Sequence, residues 1–203
     1  VHTVAVAESS HEIVVERSRF VCTLYRVGSD AEARERIGAH RRAYWGASHH
    51  CTAYVLDEGR IARSNDDGEP AGTAGAPMLE VLRGRDLTEV LAVVTRYFGG
   101  VKLGAGGLVR AYGSAVSAAV EAAGTVVVAV WPRLSVRVAY GLAGSIEGLL
   151  RLREDVRLVE VAFGPAVVFD LACADAELLV GWLASQTAGA AEVEPAGSLR
   201  VEL

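Results

Sequence analysis

Cysteine is scarce in this chain, and the three present, Cys22, Cys51 and Cys173, lie far apart with no CxxC pair. That spacing excludes a readable disulfide framework or zinc ribbon and points to a reducing compartment. An uninterrupted apolar run is also missing. Residues 111–130 are almost all small or apolar and nearly long enough to cross a bilayer, but Glu121 is charged and Gly124 sits where a helix would be capped. A β-branched run follows, so the segment is expected to be a helix and then a strand. The first residues carry acids instead of a basic leader, which argues against a secretory signal. A soluble, cytoplasmic protein with no membrane partner is expected. Lysine is nearly absent as well: 19 of the 20 basic side chains are arginine, and the exception is Lys102.

Apolar residues make up 51% of the chain and charged ones 22%, enough to bury a core and unlike a disordered polymer. The net charge of -5 disfavours indiscriminate binding to nucleic acid, but it is unevenly spread. Residues 1–132 hold 14 basic and 15 acidic side chains, whereas residues 133–203 hold 6 and 10. A polyanion site therefore belongs in the first part.

At 203 residues, two modest domains are the better expectation. A strand is predicted over 19–27, then a helix from the capping box Ser29-Asp30-Ala31-Glu32 to about Tyr44. A strand over 49–57 and a short one over 61–64 form a hairpin. A short helix over 78–82, a buried strand over 89–98, a helix over about 105–123 and a strand from Thr125 complete an α/β pattern. From Pro132 the order becomes βαββαβ, the arrangement of ferredoxin-like domains. The predicted division is 1–131 and 132–203.

The segment from Arg96 to Gly113 carries the strongest signal. Gly99, Gly100, Gly104, Gly106 and Gly107 join a buried strand to a helix, where bare backbone amides and the helix dipole favour an anion. Arg96, Lys102 and Arg110 add positive charge, and the segment holds no acid. No GxxxxGK[ST] occurs, and Val109 stands where a dinucleotide fingerprint needs its last glycine, so neither a P-loop nucleotidase nor a dehydrogenase follows. Tight packing of strand and helix is the bland alternative.

Asp66, Asp67 and Glu69 fall within four residues of a turn. Such carboxylates can hold a divalent cation or act as an acid and base, although no other cofactor is expected. Their structural alternative is an Asx turn, a helix cap from Thr73, and ion pairs to arginines such as Arg96. His49 and Cys51 share one strand face and form a secondary candidate pair for metal binding or an activated thiolate. No catalytic residue is assigned.

Ser18-Arg19-Phe20, the Ala47–Tyr54 run, Asp66–Gly75 and Arg96–Tyr112 together resemble the YigZ/IMPACT family. The resemblance implies an α+β chain: a ribosomal-protein-like left-handed βαβ domain, then a ferredoxin-like βαββαβ domain resembling domain V of elongation factor G. It also implies translation-linked regulation, with RNA or the ribosome, or a phosphorylated small molecule, as the partner at the glycine-rich loop. A small metal-assisted hydrolase or transferase is the rival expectation. If one site is built, His49, the acidic turn and the loop from Gly99 to Gly107 must converge.

Overall fold

The computed structural model describes all residues, Val1–Leu203, and they form two compact units, Val1–Val127 and Val128–Leu203. In the first, β2 (Glu8–Val15), β3 (Ser18–Arg26), β4 (His49–Leu56), β5 (Ile61–Asn65) and β6 (Val90–Tyr97) make one sheet in the order β2-β3-β6-β4-β5. Both β3 and β4 pair antiparallel with β6, so they run parallel to each other with β6 between them. The helix α1 (Asp30–Ala43) links them and completes a split βαβ unit.

The start of α1 follows from its sequence. Ser29 accepts the Glu32 amide at 3.2 Å, and the Glu32 carboxylate accepts the Gly28 amide at 2.9 Å, so the capping box closes one residue early. Ala33 and Ile37 of α1 pack on one face of the sheet with Tyr25, Tyr54, Leu56, Leu91 and Val93. On the other face α2 (Gly75–Gly84) and α3 (Gly104–Ala123) bring Met78, Leu82, Leu108, Tyr112 and Val116 against Phe20, Cys22, Cys51 and Val94. Covered on both sides, β6 is apolar without alternation, as buried central strands are.

Three elements differ from the sequence reading. The edge strand β2 was not expected, because its inward residues include Ser9 and His11 and its alternation is therefore weak as a hydrophobic signal. The short helix extends to Gly75–Gly84. The strand from Thr125 does not stop at Pro132 but continues as β7 (Thr125–Val138), so the division between the units falls inside a strand. Proline is tolerated there because β9 pairing begins only at Arg133, and on the other side the ladder is irregular between Pro195 and Ser198. A short β1 (His2–Val4) pairs with the start of β7.

The second unit adds α4 (Tyr140–Arg151), β8 (Val156–Phe163), β9 (Val167–Cys173), α5 (Ala176–Thr187) and β10 (Glu192–Glu202). Its sheet order is β10-β7-β9-β8, all antiparallel, with Ile146, Leu150, Leu179 and Leu183 of the helices covering Val136, Phe169 and Leu171. This is the ferredoxin-like arrangement. No helix of either unit is long and apolar enough to cross a membrane.

The end of β6 meets the β2–β3 turn so closely that a Cβ on Gly99 would lie 2.0 Å from the Arg17 carbonyl oxygen. Gly99→Ala is expected to destabilise the chain by about 3 kcal/mol, since the obstacle is backbone that cannot rotate away. Gly148→Ala, in α4 with nothing within 4 Å, is expected to stabilise by about 0.5–1 kcal/mol. Urea unfolding followed by circular dichroism checks both.

Candidate phosphate-binding site

The strand pairing brings the motifs to one edge of the first sheet. His49 opens β4 opposite Arg96, the penultimate residue of β6, while Ser18 opens β3 on the other side of that strand. There the Arg96 guanidinium, 5% exposed, donates from Nη1 to Glu69 Oε1 at 2.5 Å. The Tyr112 hydroxyl donates to the same oxygen at 2.8 Å. The rings of Phe20 and Phe98 flank the guanidinium at 5.3 and 5.5 Å, and Phe20 meets Tyr112 edge-on. Ser18 Oγ accepts the Gly99 amide at 3.2 Å. Arg96, a candidate phosphate ligand in the sequence, is thus the buried partner of Glu69, the ion pair that was its structural alternative, and its Nε has no acceptor.

The remaining acids of the turn point elsewhere. Asp66 accepts the amides of Gly72, Ala74 and Gly75, and so supplies the cap of α2 that was expected from Thr73, whose hydroxyl instead donates to the Pro70 carbonyl. Burial opposes ionisation of Asp66, but these three amides hold its carboxyl below the ordinary value. Asp67 pairs with Arg41 at 2.5 Å and accepts the His50 amide at 2.6 Å. His49 donates from Nδ1 to the Asp67 carbonyl at 2.8 Å and leaves Nε2 3.9 Å from Glu69. The three carboxylates thus face three different sets of donors, and no group of three or more His, Cys, Asp or Glu side chains is arranged to hold a metal ion. Cys51 donates to the Asp66 carbonyl, and burial first, then the nearby carboxylates, push its thiol up to about 12. A buried thiol raised in this way is a poor source of the thiolate that an activated nucleophile needs.

Next to this buried network the glycine-rich loop is open. Gly104 takes φ 71, which turns the chain into α3, and Leu103 at the cap position offers the first turn no side-chain acceptor. Gly100, Gly104, Ala105 and Gly106 are exposed, and Gly107 is partly so. Lys102 and Arg110 are exposed and make no ion pair. Two clefts flank the loop. One, of about 290 Å³, is lined by Glu69, Arg96, Phe98, Lys102, Gly104 and Leu108. The other, of about 410 Å³, lies between Val15 and Glu16 at the β2–β3 turn and Lys102, Gly107 and Arg110. His49, Glu69 and the loop therefore share one end of the domain, whereas Asp66, Asp67 and Cys51 support it from behind. Sequence reasoning did not single out Phe98 as a site residue; its signal was an aromatic at the strand end, directly before the glycines.

A second buried cluster fixes the C-terminus of α1. His40 bridges the Tyr25 hydroxyl and Thr95 Oγ1, each at 2.7 Å. Burial, with a smaller contribution from His50, pulls its pKa down to about 4 from 6.5. Because the folded value is the lower, the unfolded chain binds the extra proton between these values, and the contribution is complete above about 6.5 and lost as pH falls toward 4. His40→Asn is expected to flatten the fall in stability over that window by about one proton, read from urea midpoints against pH. Glu69→Ala, which strands the Arg96 guanidinium, is expected to cost about 3–5 kcal/mol, and the double change Glu69→Leu, Arg96→Met to recover most of it. Thermal and urea unfolding of the three forms check this.

Comparison with known proteins adds the relatives of this geometry. Residues 16–120 match the Impact N-terminal domain. The chain is 43% identical over 187 residues to the IMPACT family member YvyE of Bacillus subtilis (strain 168), covering 91% of this chain and 86% of that relative. It is 43% identical over 110 residues to the IMPACT family member YigZ of Escherichia coli (strain K12), covering 53% of this chain and 54% of that one. A crystal structure of a hypothetical protein is similar over 95% of both chains, with a TM-score of 0.60 and 31% identity.

Proposed function

The chain belongs to the YigZ/IMPACT family, and from that membership we propose that it is a translation-linked regulatory protein whose first unit binds phosphates of RNA or of the ribosome through the loop before α3. The observation that carries this reading is the start of α3. Its first amides are uncovered by any side chain, and the cations beside it, Lys102 and Arg110, are committed to no acid. An uncapped helix start with positive charge around it favours a phosphate oxygen over water by the partial charge of its amides. In a chain of net charge -5, two unpaired cations at a glycine turn are a local reversal of the overall field.

Single-stranded RNA suits the surroundings better than a duplex. Phe98 is 51% exposed at the end of β6 and Trp45, before the adjacent β4, is 85% exposed, so bases have aromatic faces to stack on. The metal-assisted enzyme reading has less support, because each carboxylate of the acidic turn already accepts from protein donors. The bound phosphate itself, held by amides and two cations, needs no metal bridge.

Filter binding of a single-stranded RNA across salt concentrations tests the proposal. Affinity is expected to fall steeply with salt, and Lys102→Ala with Arg110→Ala to lower the slope of log K against log salt by about 1.4, at about 0.7 per phosphate contact removed. Circular dichroism of the double variant should match the parent, as both side chains are exposed. Equal binding by parent and variant at every salt concentration overturns the reading.

A further inference from the structure

The smaller cleft holds features that a phosphate site does not require. Glu69 is 8% exposed, yet only its Oε1 is used, accepting from both Arg96 and Tyr112. Its Oε2 accepts from no protein donor and is not sealed from solvent. Glu69 and Arg96 both line the cleft, and Oε2 is the oxygen of this mostly buried carboxylate that remains available to a donor. A carboxylate oxygen with little access to water is a strong acceptor for a ligand donor placed against it. The lining also has an apolar part, made by Pro70, Leu103 and Leu108, and includes the half-exposed ring of Phe98, against which the Arg96 guanidinium lies. Lys102 and the start of α3 close the far end.

Each part meets a different part of one small ligand. The helix start and Lys102 suit a phosphate, the apolar wall and Phe98 suit a flat aromatic face, and the free carboxylate oxygen suits an N–H donor on that ring's edge. A volume of about 290 Å³ admits one nucleotide and no duplex. We infer that this cleft is a single-nucleotide subsite, which stacks a base beside Phe98 and reads an amino-bearing edge with Glu69 while the loop and α3 hold the phosphate. The inference rests on the phosphate-binding reading above and deepens it. Cytosine, adenine and guanine each offer an exocyclic amino group to Oε2. Uracil presents its single N–H between two carbonyls, which the carboxylate repels, so uracil is the disfavoured base. The nucleotide is either free or part of a single-stranded RNA, since the chemistry recognised is the same.

Calorimetry on the full chain with CMP, UMP, ribose 5-phosphate and inorganic phosphate tests it. CMP is expected to bind about 10-fold or more tighter than ribose 5-phosphate, as stacking on an aromatic ring supplies. UMP is expected about 5-fold weaker than CMP, from one lost hydrogen bond. Phe98→Ala should bring CMP down to the level of ribose 5-phosphate without changing the latter. Glu69→Gln can keep a carbonyl oxygen toward Arg96 and Tyr112 and turn its amide N–H groups to the cleft, so it should reverse the order to favour UMP. Should that variant unfold by circular dichroism, the Phe98→Ala result and the parent's CMP to UMP ratio decide. Displacement of CMP by hexacytidylate supports a nucleotide within RNA, and failure to displace supports the free nucleotide. If ribose 5-phosphate or phosphate binds as tightly as CMP, the base subsite is overturned while the phosphate site stands. If no probe binds, and RNA binding is also absent, both readings fall.

Discussion

The candidate site of the first unit depends on one buried ion pair, Glu69 with Arg96. A carboxylate and a guanidinium removed from water lose more solvation than a simple contact returns, unless further groups share the charges. Here Tyr112 donates to the carboxylate and two aromatic rings flank the guanidinium. The pair thereby ties together residues far apart in sequence: the start of β3, the acidic turn, the end of β6 and the middle of α3. Such an arrangement is more useful for fixing geometry than for adding stability. It holds Phe98 and the loop after it in one place, which a binding surface built on a turn needs.

The glycines of the loop divide between two tasks. Gly99 lets the chain pass against the β2–β3 turn, and Gly104 lets it reverse into the helix. Gly100 also takes a positive φ, of 85, Gly107 packs closely on Leu103, and Gly106 leaves the first turn of α3 exposed. The packing explanation of a glycine-rich segment therefore holds at Gly99, while the proposed ligand role falls to the exposed residues of the loop.

Local signals in the sequence were sufficient for the elements that close on themselves. Ser29 with Glu32 marked the start of α1, the continuous apolar run of β6 marked a strand covered on both faces, and the βαββαβ order of the second unit matched its fold. What could not be read was pairing over distance. Nothing near Asp66 tells that its carboxylate caps a helix nine residues later, and nothing near Glu69 tells that its partner is Arg96 and not Arg41. The same holds for β2, whose place in the sheet is fixed by its partner β3 more than by its own alternation. The three acids looked like one set because they are adjacent; the turn separates them because Asp67 takes φ 46 and aims its neighbours apart.

The single lysine has a practical consequence of its own. A reagent that couples to lysine side chains has a single target among these residues, Lys102. A dye attached at Lys102 would stand in the lining of both clefts. Immobilisation through the same amine would obstruct both clefts. The choice of attachment chemistry thus decides whether a surface-based measurement sees this protein as competent or blind.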